Sequence, residues 1–146
     1  MQITRETDYA LRCVNYLVGK TGTVTMVDEI ANEMLIPKSF LAKILQKLTR
    51  SSIVKSHRGV KGGFELARSP KETTLLDIIE AIEGPVAMNL CAIDANLCGF
   101  SKTCSIHPVW MEIRKEVEKI LRKKNFEKLQ RRRPEKNRVL AKKTGA

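Results

Sequence analysis

The segment from Thr25 to Arg50 reads TMVDEIANEMLIPKSFLAKILQKLTR and contains two short patterns of apolar residues spaced three and four apart. Thr25 is the expected N-cap of the first helix, and Asp28 three residues later completes an approximate capping box. Pro37 separates the two patterns, because the residue before a proline is pushed out of the helical region. The second helix, from Lys38, is apolar on one face and basic on the other. Two short helices joined by such a turn predict a helix-turn-helix, whose polar face can enter a DNA major groove.

A basic, glycine-rich hairpin follows the two helices. Residues 53–55 and 64–67 have the composition of short strands, and Gly59, Gly62 and Gly63 allow a sharp turn between them. A nucleotide-binding phosphate loop is disfavoured, because no strand-then-helix context surrounds these glycines. The hairpin is therefore predicted to be a wing beside the DNA. The predicted DNA contacts are Lys38, Ser39, Lys43, Lys47 and Arg50 on the second helix, with Arg58 and Lys61 in the wing.

Two further helix patterns flank this unit. One begins after Thr4 as its expected N-cap, and the other begins after Thr74, with an acid three residues later, and stops at Gly84. Cys13 lies beside the apolar stripe of the first, as expected of a buried cysteine that acts as a small hydrophobe. These patterns predict a mainly α (α+β) fold with a winged helix-turn-helix DNA-binding domain over residues 1–84.

The net charge of +11 is concentrated in two regions. Residues 37–71 carry nine Lys and Arg against one acid, and the residues beyond 112 carry 14 against four. Segregated basic regions are typical of a protein that binds a polyanion, although a solvated basic face without a partner is the alternative. The charge therefore agrees with binding to double-stranded DNA.

The sequence also disfavours other classes of protein. It carries no recognisable nucleophile–base set, so an enzyme is not expected. Charged residues interrupt the first 20 positions, which excludes a secretory signal there, and no apolar run approaches the roughly 20 residues that span a bilayer. We therefore expect a cytoplasmic protein that does not act at a membrane.

Three of the four cysteines and one of the two histidines lie in a single window of 17 residues: Cys91, Cys98, Cys104 and His107. Thiolate and imidazole groups concentrated in a polar loop favour a thiophilic metal. Structural zinc usually takes closely paired ligands, and no Cys-x-x-Cys occurs here, but zinc and a metal-free thiol switch both stay open. His107 has a second interpretation, since beside Pro108 it can simply begin the next helix. Residues 85–107 are thus predicted to form a cysteine-rich binding loop.

A long helix is predicted over residues 108–125, with apolar residues repeating at about 3.5 positions. Such a repeat suits a partner helix, and the alternative is packing against its own domain. A two-fold dimer would present two recognition helices to successive major-groove faces and read an inverted repeat. Residues 126–146 are basic and poor in apolar residues, which predicts a flexible tail. The predicted dimer contacts are Trp110, Ile113, Val117 and Ile120.

Four of these features together resemble the IscR/NsrR-type family of bacterial winged-helix regulators: the opening run Thr7-Asp8-Tyr9-Ala10-Leu11-Arg12, the helix-turn-helix, the wing from Arg58 to Leu66, and three cysteines before a long helix. The resemblance implies a homodimeric transcription regulator whose DNA affinity depends on an iron-sulfur cluster (2Fe-2S or 4Fe-4S) that senses iron-sulfur status, nitric oxide or redox state. It also implies the cluster ligands, which are Cys91, Cys98 and Cys104 with either His107 or Asp8 of the partner subunit as the fourth. A regulator of the same fold without a cluster, responding through thiols or zinc, is the alternative.

Overall fold

The computed structural model describes residues 2–131, which fold into seven α-helices, one short 3₁₀ helix and one two-stranded antiparallel sheet. The helices and strands follow in the order α1 Arg5–Val18, α2 Val27–Met34, α3 Lys38–Arg50, β1 Val54–His57, β2 Gly63–Leu66, α4 Leu75–Glu83, α5 Leu90–Ile93, the 3₁₀ helix Ala95–Leu97, α6 His107–Arg122 and α7 Phe126–Arg131. The predicted mainly α fold with a helix-turn-helix and a wing is confirmed. Within residues 2–131, no helix has the length and apolar character needed to cross a membrane.

The turn of the helix-turn-helix runs from Leu35 to Pro37, between the end of α2 and the start of α3, as the proline predicted. Leu35 adopts a left-handed conformation with φ of 54°, and α3 begins directly after Pro37. The predicted cap of α2 is wrong, because the N-cap is Met26 and no side chain caps this helix. Thr25 instead exchanges two backbone hydrogen bonds with Phe64, each 2.8 Å long. Thr25, two residues before α2, therefore attaches the wing to the helix-turn-helix.

The wing is tightly joined to the module at its base and open at its tip. A Cβ atom at Gly63 would lie 2.2 Å from the Thr25 carbonyl oxygen, so only glycine allows this backbone contact. At the tip, Gly59 has a φ of +106°, a conformation that L side chains rarely adopt. Arg58 and Lys61 flank it and are exposed.

The core forms where α1, α3 and α4 meet. Ala10, Cys13 and Val14 of α1 and Leu41 and Ile44 of α3 are fully buried. The predicted caps of α1 and α4 are confirmed: the Thr4 hydroxyl accepts from the Thr7 amide, and Thr74 forms a complete capping box with Asp77. Burial of these apolar faces holds α3 in place with its other face exposed.

The C-terminal helices fold back onto the module, which therefore does not close at Gly84 as the pattern suggested. Phe126 is only 2% exposed within the main core, and its amide donates to the Thr73 carbonyl at 3.0 Å. The Leu75 amide likewise donates to the Lys124 carbonyl at 2.9 Å. The prediction of a flexible tail from residue 126 is thus wrong for 126–131, because one aromatic side chain anchors α7. Residues 132–146 lie outside the described residues.

Candidate nucleic-acid interface and cysteine segment

The predicted DNA-contacting residues lie on the outer surface of α3 and at the tip of the wing. Six are exposed: Lys38, Ser39, Lys43, Arg50, Arg58 and Lys61. Lys47 is half-buried, and its Nζ lies 2.7 Å from Glu6 Oε1 of α1. A second pair joins Lys38 to Asp28 at 2.6 Å, with both side chains more than 60% exposed. The structure thus leaves most of the predicted cations exposed and gives two of them, Lys38 and Lys47, an acidic neighbour.

Two basic or imidazole side chains near this surface have structural roles instead. Arg68 donates to the backbone carbonyls of Ser51 and Ser52, at 2.8 and 3.2 Å, where the chain leaves α3. His57 Nε2 lies 2.7 Å from Glu65 Oε1, across the two strands of the wing. This pairing gives His57 a partner within the wing.

The cysteine segment contains the predicted ligands without gathering them around one point. Cys91 lies in α5 and is 9% exposed, and its thiol donates to Asn89 Oδ1 at 3.3 Å. Cys98 and Cys104 are half-buried. Within residues 2–131, no three Cys, His, Asp or Glu side chains lie close enough together to hold a single metal ion. The described arrangement is therefore not a preformed mononuclear site.

The two candidates for a fourth ligand have different surroundings. His107 is the first residue of α6, and its Nδ1 is buried without a hydrogen-bond partner in the described part of the chain. Asp8 accepts a 2.5 Å hydrogen bond from Arg12 and is half exposed. A buried ring nitrogen without a partner is uncommon, because leaving it unsatisfied costs about 1–3 kcal/mol. Of the two groups, Asp8 already has a hydrogen-bond partner, whereas the His107 Nδ1 has none among the described residues.

Arg114 attaches the cysteine segment to α6, a contact that the sequence pattern did not reveal. Its guanidinium donates to the Ala92 carbonyl, next to Cys91, and also to Glu118 at 2.8 Å. Both side chains of the Arg114–Glu118 pair are less than a quarter exposed. An (i, i+4) pair on a helix looks like ordinary surface charge in sequence, so nothing in the spacing indicated this role.

Cys13 lies apart from the other cysteines, as predicted. Its side chain is fully buried in the core, and burial raises the pKa of its thiol to about 12. A buried thiol that keeps its proton is neither a metal ligand nor a nucleophile at neutral pH. Cys13 therefore acts as a small apolar residue.

The predicted dimer contacts of α6 divide between two faces. Val117 packs against Leu76, Ile79 and Val86 of its own chain, so it differs from the prediction. Trp110 and Ile113 are half-buried, and Ile120 is 56% exposed. The exposed apolar residues on α6 also include Val109 and Met111, which the sequence interpretation missed.

Comparison with known proteins identifies the family. A model for Rrf2, described as an iron-dependent transcriptional regulator, matches residues 3–132. The chain belongs to the Rrf2 family. Rrf2 proteins are DNA-binding transcription regulators and not enzymes, so the predicted resemblance and the expected lack of catalysis are confirmed.

Individual relatives and structures agree with this family. An Aquifex aeolicus protein named "Putative HTH-type transcriptional regulator" is 32% identical over 112 residues, covering 75% of this chain and 78% of the relative. The structure of CymR, the global cysteine regulator of B. subtilis, is 27% identical with a TM-score of 0.74, covering 92% of this chain and 99% of that one. T. potens IscR shares the fold at 21% identity and a TM-score of 0.71, covering 90% and 87%.

Proposed function

We propose that this Rrf2 protein is a homodimer that binds an inverted-repeat operator and whose DNA affinity is controlled by an iron-sulfur cluster at Cys91, Cys98 and Cys104. The observation that carries the proposal is the Nδ1 of His107, which is buried without a hydrogen-bond partner among residues 2–131, at the end of a segment with three cysteines. Thiolates with an occasional imidazole are the ligands of iron-sulfur clusters. His107 is accordingly the proposed fourth ligand, and Asp8 of the partner subunit is the competing candidate.

The spacing of the cysteines favours a cluster over structural zinc. Structural zinc usually takes ligands in closely spaced pairs, and no Cys-x-x-Cys occurs in this sequence, whereas a cluster distributes its thiolates over several irons. Within residues 2–131, the side chains are not gathered into a preformed metal site. Because the three thiols are not gathered in the described arrangement, holding a cluster would require the segment to change its path.

Dimer formation is supported by the outer face of α6. Val109 is 48% exposed and Ile120 is 56% exposed, and Ile113 lies on the same side between them. Exposed apolar residues along one helix face are typical of a surface that pairs with another copy. The proposed interface therefore consists of Val109, Ile113 and Ile120, with Trp110 at its edge. Val117 is left out of it, because this residue packs against its own chain.

A thiol-based regulator without a cluster is the second candidate. CymR is described as a global cysteine regulator, and its structure superposes on 92% of this chain with a TM-score of 0.74. Cys98 and Cys104 are half-buried, so reagents from solvent can reach them. In this alternative, oxidation of these thiols changes DNA affinity directly.

One experiment separates the two candidates. The protein is purified without oxygen and its visible and Mössbauer spectra are recorded. Its affinity for a selected inverted-repeat duplex is measured before and after exposure to nitric oxide and, separately, before and after hydrogen peroxide followed by a thiol reductant. A variant with Cys91, Cys98 and Cys104 changed to Ala is compared with Cys13→Ala as the matched control. A brown protein that loses its colour and changes affinity only in the triple variant supports the cluster. A colourless protein whose affinity responds reversibly to oxidant through Cys98 or Cys104 supports the alternative, and an unchanged triple variant contradicts both.

A further inference from the structure

Two lysines of the recognition helix pair with acids, but the two pairs differ in burial. Lys47 Nζ and Glu6 Oε1 are 2.7 Å apart, and the side chains are 37% and 33% exposed. Lys38 and Asp28 are 2.6 Å apart, yet they are 67% and 61% exposed. An exposed pair contributes little and is screened by salt, whereas a partly buried pair is screened much less. The Glu6–Lys47 pair is therefore the stronger of the two restraints on the DNA-facing surface.

The turn that carries Glu6 is itself fixed. Glu83 Oε1 at the end of α4 accepts from the Thr4 amide at 2.9 Å, the Thr4 hydroxyl at 2.8 Å and the Thr7 hydroxyl at 2.5 Å. These three bonds surround Glu6 in sequence and hold the first turn of α1 in place. A carboxylate on a fixed turn keeps its position beside Lys47 at a smaller entropy loss than one on a mobile loop.

Lys47 is held on the other side by the core. It lies on α3 between Leu45 and Leu48, which are at most 1% exposed, so the helix cannot rotate to release the ammonium group. The wing and the rest of α3 present Lys43, Arg50, Arg58 and Lys61 without any acidic side chain within 4.0 Å among the described residues. Among the predicted DNA-contacting cations, Lys47 is thus the half-buried one with an acidic partner, whereas Lys38 has only an exposed partner.

We propose that Glu6 lowers the affinity of this protein for DNA by occupying Lys47, so that a DNA phosphate must displace the Glu6 carboxylate before it can pair with this lysine. The proposal rests on the proposed role of Lys47 in DNA contact. A phosphate and a carboxylate compete for the same ammonium group, and a carboxylate left beside the phosphodiester backbone also repels it. Because phosphate contacts carry no sequence information, the restraint acts on random DNA as well as on the operator.

The test is a salt titration of DNA binding with the full-length protein. Glu6→Gln frees Lys47 and removes the repulsion, so affinity for a random duplex at low salt is expected to rise about 3- to 10-fold, with the salt slope steeper by about one. Lys47→Gln is expected to weaken binding and to flatten the slope by about one. The matched control is Asp28→Asn, which also removes one acid beside α3 but from an exposed pair, and it is expected to change affinity less than about 2-fold.

A double-mutant cycle decides the cause. In the Lys47→Gln background, Glu6→Gln is expected to give a clearly smaller gain than in the wild-type protein, because only the repulsion between Glu6 and the phosphates is then left to remove. An equal gain in both backgrounds would show a general charge effect and overturn the proposal. No gain from Glu6→Gln while Lys47→Gln weakens binding also overturns it, yet leaves the proposed DNA-binding surface intact. No effect of Lys47→Gln contradicts the role of Lys47 itself.

A second variant distinguishes the proposed effect on DNA affinity from a loss of folding. Glu6→Asp keeps a negative charge in the first turn of α1, which favours the helix, but shortens the side chain by one methylene. It is expected to give a smaller gain in affinity than Glu6→Gln with an unchanged circular dichroism spectrum. A gain from Glu6→Gln that is accompanied by loss of helix, without any gain from Glu6→Asp, counts against the proposal.

Discussion

In the winged module, the large apolar side chains of α1, α3 and α4 are buried in one core. In the cysteine segment between α4 and α6, the large apolar side chains are mostly exposed: Leu90 by 64%, Ile93 by 43%, Leu97 by 56%, Phe100 by 75% and Ile106 by 54%. The first region is therefore fixed by packing. The second is packed only at its start, where Val86 and Ala92 are buried, and is otherwise held by turns and by the contact of Arg114 with Ala92. Elements that move in regulation come from the regions of low local stability, and the cysteine segment has that character.

Substitution of two phenylalanines tests this contrast most strongly. Phe126 is 2% exposed in the core, and Phe100 is 75% exposed in the cysteine segment. Phe126→Ala leaves a cavity and is expected to lower the free energy of unfolding by about 3–5 kcal/mol. Phe100→Ala is expected to change it by less than about 0.5 kcal/mol. Urea unfolding at fixed protein concentration measures both, and a comparable loss for Phe100→Ala would show that the segment has a core of its own.

The same two residues show what could be predicted of the fold. The periodic helices α1, α3 and α4 and the caps at Thr4 and Thr74 were predictable, because caps and apolar spacing are local signals. The burial of Phe126 was not predictable, because Lys123, Lys124 and Asn125 precede it and its contacts with the core are distant in sequence. Long-range contacts of a single residue leave no periodic pattern.

A second test compares the reactivity of the cysteines in the two regions. Burial raises the pKa of the Cys13 thiol to about 12, so it supplies almost no thiolate at pH 8 and its sulfur is covered. Cys98 and Cys104 are half-buried and reachable from solvent. In cluster-free protein, we expect iodoacetamide to modify Cys13 at least about 100-fold more slowly than Cys98 or Cys104. Peptide mass spectrometry over time gives the three rates, and urea should abolish the difference.

Equal rates in the folded protein would contradict the rigid packing of α1.

The chemistry of the cysteine segment could be predicted from the sequence, but its geometry could not. The types and spacing of Cys91, Cys98 and Cys104 indicated metal or redox chemistry, because few other roles concentrate thiols in a short loop. Their arrangement was not predictable, since only Cys91 of the three is buried and no apolar core fixes the path of the other two.

The pairing of Glu6 with Lys47 could not be predicted from the sequence, for a related reason. The two residues are far apart in sequence, and neither charge stands out from the many around it. Only the packing of α1 against α3 brings them together. The seven predicted DNA contacts could be chosen by charge and helix face, but which of them has an acidic neighbour depends on the tertiary structure.

The smallest of the three effects concerns Glu83, the last residue of α4, which lies at the boundary between the two regions. Burial alone would raise the pKa of Glu83, but hydrogen bonds from the Thr7 hydroxyl and from the Thr4 amide and hydroxyl outweigh it, so the pKa lies below its ordinary value. A carboxyl group with a lowered pKa in the folded state stabilises the fold above its unfolded pKa of about 4.3, and this contribution disappears as the pH falls through the folded pKa. Because Glu83 is exposed to solvent, the contribution is expected to be less than about 1 kcal/mol.

Glu83→Gln tests this contribution, with Glu80→Gln as its control. Glu80 lies one turn earlier on α4, and its carboxylate makes no hydrogen bond within residues 2–131. The wild-type protein is expected to be more stable than Glu83→Gln at pH 7, and the gap should close below about pH 4, because the wild-type carboxyl is then protonated as well. Urea unfolding from pH 7 to pH 3 measures the gap. A gap that is constant with pH, or one that Glu80→Gln reproduces, would show that the Thr4–Thr7–Glu83 contact does not depend on the charge of Glu83, and the boundary between the rigid module and the cysteine segment would then be held by neutral hydrogen bonds alone.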